Sequence, residues 1–204
     1  MSEAPPSGPA VLAALQALYH DPSPAAKAQA NDALQRFQRT QEAWSTANEL
    51  LLAQELPLES RLFAAQTFRA KVTFDLESLA VADRVALRDR LLHALAMYAR
   101  GPRVVQTQLC LALAALALQL SEEQWGRVVP GMIEQFGGSP ETVGVLLEFL
   151  TVLPEEVATN ARIPVDNATY HERVPLLLTA HAGTVLEVLA MYMHAQGVLS
   201  LIHI

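Results

Sequence analysis

The 204-residue chain is 51% hydrophobic, with 6% aromatic residues, 9 Gly and 12 Pro, which supplies one contiguous core and excludes bulk disorder. Its formal net charge of −7 has the wrong sign for affinity gained by neutralising phosphates, so nucleic acid is not expected as a direct partner. Cys110 is the single cysteine, which excludes an internal disulfide framework and a Cys-rich zinc module and suits a reducing compartment.

Roughly a third of the residues are Leu or Ala, a bias that favours helix over strand. An all-α fold is expected. The first twenty residues hold Glu3, three prolines and no basic residue, so they lack the charged start and apolar run of a secretory signal. The stretch Val104 to Leu120 reads as the most apolar. It is interrupted by Gln106, Gln108 and Gln119 and falls short of the roughly 20 residues of a membrane span, so it reads as a buried helix and no membrane partner is expected.

Residues 1–8 read as a disordered Pro/Ser leader. From Pro9, Leu12, Leu15, Leu18 and Tyr19 form one apolar stripe that ends at His20-Asp21-Pro22-Ser23-Pro24. A second helix carries Ala30, Leu34 and Phe37 to about Arg39, completing a helix hairpin. The unit returns as a helix from about Gln41 to Gln54, a break at Pro57, and a helix from Leu58 to about Thr73. A third pair spans about Asp83 to Ala99 and Pro102 to Leu120. There Leu109, Leu113, Leu116 and Leu120 form one stripe, while Leu111, Ala115 and Leu118 cover another face. A helix apolar on more than one side must be packed on more than one side, as an inner helix between neighbouring repeats would be.

A fourth pair covers about Glu122 to Phe136 and Pro140 to Leu153, split by Gly137-Gly138-Ser139. A fifth runs from near His171 to about Gln196. Nine helices in pairs that begin near residues 9, 41, 83, 122 and 171 bracket the HEAT/armadillo period of about 40 to 47. Residues 9–196 are therefore read as a right-handed HEAT-repeat α-solenoid of about four and a half pairs, in preference to a closed helical bundle.

Chemistry is sparse along this scaffold. No GxxxxGK[ST] or GxGxxG loop occurs, and His171-Glu172 is followed by Pro175 where a zinc-protease helix needs a second His. The six histidines have no metal-ligand spacing. Cys110, between Leu109 and Leu111, reads as core rather than nucleophile, because burial raises a thiol's pKa. Glu155-Glu156 after Pro154 reads as a helix start whose acids complement the dipole, not as a catalytic carboxylate pair. No catalytic residue, metal or cofactor is expected, and the chain is not read as an enzyme.

Specific strings carry a resemblance. Ala17-Leu18-Tyr19-His20-Asp21-Pro22, Ala33 through Gln38 leading to Trp44, and Phe63-Ala64-Ala65-Gln66-Thr67-Phe68 followed by Lys71 resemble the importin-β N-terminal domain, placed at about residues 30–96. Leu87-Arg88-Asp89, Gln108-Leu109 through Gln119, and Leu146 through Glu156 are similar to the transportin-SR branch, called mRNA transport regulator in fungi. The match covers roughly residues 9 to 160.

The resemblance implies a monomeric nuclear transport receptor that shuttles between nucleus and cytoplasm. It implies Ran-GTP as regulator, nucleoporins as pore contacts, and SR-rich or RNA-binding proteins as cargo. It also implies an N-terminal fragment, since family receptors run to about twenty repeats and cargo contacts would lie beyond residue 204. In the family the second helices of the first repeats meet Ran. This maps onto Ala25 to Arg39, Leu58 to Thr73 and Pro102 to Leu120, with Gln66, Arg69, Lys71, Arg103 and Gln108 as polar candidates. The competing reading is a HEAT/armadillo scaffold that joins two proteins without Ran. Residues 197–204 are expected to be disordered or unnatural, because Leu199 to Ile204 reads like a translated sequencing adaptor. The helix before them is expected to expose Val185, Leu186, Leu189 and Met193.

Overall fold

The computed structural model describes residues 8–159 and 162–202, with side chains described as far as His194. Among them there is no strand. The helices are α1 (Gly8–His20), α2 (Pro24–Gln38), α3 (Ala43–Leu52), α4 (Leu58–Phe74), α5 (Val81–Met97), α6 (Arg103–Gln119), α7 (Glu122–Trp125), α8 (Val128–Phe136), α9 (Val143–Thr159), α10 (Asn167–Val174) and α11 (Ala182–Ile202). The helices α1 and α2, α3 and α4, α5 and α6, and α8 and α9 pack as pairs, so the chain is an all-α HEAT-repeat solenoid.

Prolines and caps set the element boundaries. Pro24 opens α2 behind Ser23, whose hydroxyl accepts from the Ala26 N–H, and Pro57 and Pro102 stand directly before α4 and α6, where a missing N–H costs nothing. Ser121 and Gln124 form a reciprocal capping box on α7.

Two of the nine expected helices are divided. A helix through residues 122–136 would set the Pro130 ring against the carbonyl four residues back, at Gly126. The break falls there, between α7 and α8, with Arg127 at φ −99° and ψ 53°. The last helix starts earlier than expected, at Asn167, where Asp166 accepts from the Thr169 N–H at 2.8 Å. It passes through a π turn at Pro175–Thr179 before α11.

Two further expectations need correction. Pro154 does not start a helix but lies inside α9. The apolar series Leu146, Phe149, Leu153 and Val157, all buried, continues across it, and packing of that face outweighs the one ladder bond Pro154 removes. Residues 197–202 are helical, because α11 continues to Ile202; residues 1–7 of the expected leader and residues 203–204 of the tail lie outside the described residues. Within Asn167–His194 an 18-residue window has mean hydropathy 1.6, so by length and composition this helical stretch could cross a membrane. Arg173 within that stretch is nevertheless held by the repeat stack: its guanidinium donates to the carbonyls of Ala117 at 2.8 Å and Trp125 at 3.0 Å.

The core is continuous from Val11 to Leu177, and α6 is its axis. It packs between α4 and α9, with Leu109, Leu113 and Leu116 buried and, on the other expected face, Ala115 and Leu118 buried and Leu111 half-buried. Amide side chains tie off the helix ends inside this stack. The Gln106 amide donates to the Tyr98, Ala99 and Gly101 carbonyls, and Gln119 donates to the Val72 carbonyl of α4 at 2.9 Å. At the far end, Leu186 and Met193 of α11 are exposed as expected and Val185 and Leu189 are half-buried.

Candidate protein-binding groove

The second helices of successive pairs, α4, α6 and α9, present their polar residues to one open groove of about 600 Å³. It is lined by Gln66 and Arg69 from α4, Gln108 from α6, and Glu156 and Thr159 from α9, with Arg162 just beyond α9 and Phe74 at the end of α4. This follows from helical spacing. In α4, Phe63, Ala64, Ala65, Thr67 and Phe68 are buried while Gln66 is exposed, so the groove face is the narrow strip the core leaves free.

Three of the five candidates, Gln66, Arg69 and Gln108, therefore come together. Arg69 reaches across the groove to Glu156, with Nη2 3.7 Å from Oε2. The carboxylate side chain is 6% exposed and the guanidinium side chain 39%. Phe74 is 65% exposed, a large aromatic side chain lining the open groove.

Lys71 does not belong to this face. It is 2% exposed, its Nζ 2.6 Å from Asp75 Oδ2 and 2.8 Å from the Thr40 carbonyl. It also lies 4.8 Å from the centroid of the Trp44 ring. Two residues on from Arg69 is about 200° around a helix, which turns Lys71 into the repeat. It holds the α2–α3 turn onto the end of α4. Arg103 is separate too. It is five residues from Gln108, about 140° away around α6, and its exposed guanidinium pairs with Glu148 of α9 at 2.9 Å, where Glu148 also accepts from Thr107.

Phe74, Glu156, Thr159 and Arg162 were missed by the sequence reading. The signal for Glu156 was present in the apolar series that runs through Pro154, which sets it on α9 rather than at a new helix start. Cys110 is fully buried, and that burial, with the charge of Glu148 behind it, pushes its thiol far above the usual range. Among the described residues no group of His, Cys, Asp and Glu could hold a metal ion.

Two family models match in tandem: the importin-beta N-terminal domain over residues 30–97 and the Exportin 1-like protein over residues 102–200. The chain belongs to the importin-β family. Among curated relatives, it is 40% identical over 149 residues to Transportin MOS14 of Arabidopsis thaliana, covering 72% of this chain and 16% of the relative. It is 35% identical over 179 residues to mRNA transport regulator MTR10 of Saccharomyces cerevisiae, covering 86% of this chain and 18% of the relative. Over 157 residues it is 32% identical to human Importin-13, covering 74% and 16%. The chain thus spans less than a fifth of the length of these karyopherins. The second family model begins at Pro102, directly before α6.

Proposed function

We propose that the chain forms the Ran-binding start of a nuclear transport receptor, and that Ran-GTP docks on the groove of α4, α6 and α9. The observation that carries this reading is the meeting of Gln66, Arg69 and Gln108 on the second helices of successive repeats. The karyopherin resemblance assigns α4 and α6 to Ran, and α9 joins the surface they share. Arg69 offers a guanidinium to an acidic side chain, Gln66 and Gln108 offer amides, and Phe74 offers apolar area.

The whole receptor would carry SR-rich or RNA-binding cargo past nucleoporins and release it in the nucleus when Ran-GTP binds, so it would occupy both compartments. The names transportin and mRNA transport regulator among the relatives support transport as the activity. Because the chain spans less than a fifth of its relatives' length, it offers limited contact area and is expected to bind Ran weakly. The test is a titration of Ran locked with a non-hydrolysable GTP analogue against Ran-GDP. Selective binding of the GTP form supports the proposal. Equal binding of both forms, or none, points instead to a scaffold without Ran dependence.

A further inference from the structure

In a stack of repeats each unit contacts its neighbours, and the side chains of α4 and α9 would be expected to meet only through α6, which packs between them. Arg69 and Glu156 break that rule. Arg69 belongs to the second pair and Glu156 to the fourth, yet their charged ends lie 3.7 Å apart over the top of α6. The ion pair bridges two repeats that are not adjacent.

Glu156 is poorly placed for a solvated surface acid. It is 5% exposed, on the side of α9 that also buries Val152, Leu153 and Val157. A carboxylate so buried is held there by cations around it. Arg69 reaches it from across the groove and Arg162 lines the same wall. Arg69, by contrast, keeps more than a third of its side chain in solvent, so it can exchange partners without unfolding the repeat.

The geometry points to a clasp. The Arg69–Glu156 pair ties the second repeat to the fourth, fixes the curvature of the groove, and occupies Arg69 with an internal carboxylate that an acidic residue of a bound partner displaces. Glu156 is thus the built-in competitor for the partner's carboxylate. Partner binding opens the clasp, and opening frees the second and fourth repeats to change their separation. The inference rests on the groove being the Ran interface, as proposed above.

Four forms of the chain test it: wild type, Glu156→Gln, Arg69→Gln and the double substitution. Glutamine keeps the shape of the glutamate and removes its charge, and the double substitution leaves no carboxylate without its Arg69 cation, so it separates lost binding from any loss of stability in Arg69→Gln alone. Each is titrated with Ran bound to a GTP analogue at low and at physiological salt. Glu156→Gln is expected to bind about two- to fivefold more tightly than wild type, the range of a partly screened ion pair. Arg69→Gln should bind more weakly, and the double form like Arg69→Gln alone. The gain from Glu156→Gln shrinks as salt rises, because salt opens the wild-type clasp as well.

Unchanged or weaker binding by Glu156→Gln, with Ran bound by wild type, overturns the clasp as a competitor. If no form binds Ran, the proposed function fails, and thermal unfolding of the same four free proteins decides the clasp separately. A coupling between the two substitutions then sustains it, and simple additivity overturns it.

Discussion

The ammonium of Lys71 lies 4.8 Å from the centre of the Trp44 ring and is otherwise enclosed by Asp75 and the Thr40 carbonyl, so a cation two residues from the groove's key arginine is a packing element and not a contact surface. Breaking a buried pair by removing one partner is costly, although Asp75 retains some solvent. Lys71→Ala is therefore expected to cost about 2 to 3 kcal/mol of stability, read by urea unfolding. The folded variant should bind Ran-GTP as wild type does. Lost binding at unchanged stability would return Lys71 to the interface.

Leu113 tests the layered packing. It is fully buried midway along α6, between α4 and α9, and Leu113→Ala should cost about 3 to 5 kcal/mol through the cavity it leaves. Stabilisation in a repeat stack passes between neighbours, so amide exchange should rise first in α4, α6 and α9 and least in α1 and α2. An unmoved unfolding midpoint would show that α6 is not the sandwiched helix.

Arg173 anchors the last described repeat. Its guanidinium caps carbonyls at the end of α6 and at the end of α7, groups that have no donor from their own helices. Arg173→Ala leaves both buried without that partner, at a cost of about 2 to 4 kcal/mol. Limited proteolysis should then cut between α9 and α10 far sooner than in wild type. Equal cleavage rates would show that apolar packing alone holds α10 in place.

Cys110 provides a pH-dependent reading of the core. Because burial raises its thiol pKa, the folded state keeps the proton where the unfolded state would lose it. Its contribution to stability is complete below the unfolded thiol's pKa and declines as the pH rises above about 9, the ordinary value. A disulfide exchange reagent at pH 8 should leave the native thiol unlabelled and label it on addition of denaturant. Rapid native labelling would contradict its placement in the core.

Much of this architecture was legible in the sequence, because apolar stripes such as Leu109, Leu113 and Leu116 record the faces that pack, and prolines at 24, 57 and 102 record where helices begin. What escaped was decided by tertiary contacts. Pro154 carries the local signal of a helix start, and only the buried run on both sides shows that α9 passes through it. Lys71 reads as a surface cation until the ring of Trp44, 27 positions earlier in the chain, closes over it. The Arg69–Glu156 contact joins repeats that periodicity alone keeps apart. Gln106 and Gln108 look equivalent in sequence, yet the two-residue rotation sends one into the α5–α6 turn and the other into the groove.

The most direct test of the central claim is a titration of Ran-GTP and Ran-GDP with the wild-type chain and with Arg69→Glu, checked by circular dichroism for an unchanged fold. The expected result is weak binding selective for the GTP form and abolished by the charge reversal, since a partner acid would then face a carboxylate in place of a guanidinium. Binding by Arg69→Glu equal to wild type, or binding indifferent to the nucleotide, would contradict the assignment of the α4, α6 and α9 groove to Ran.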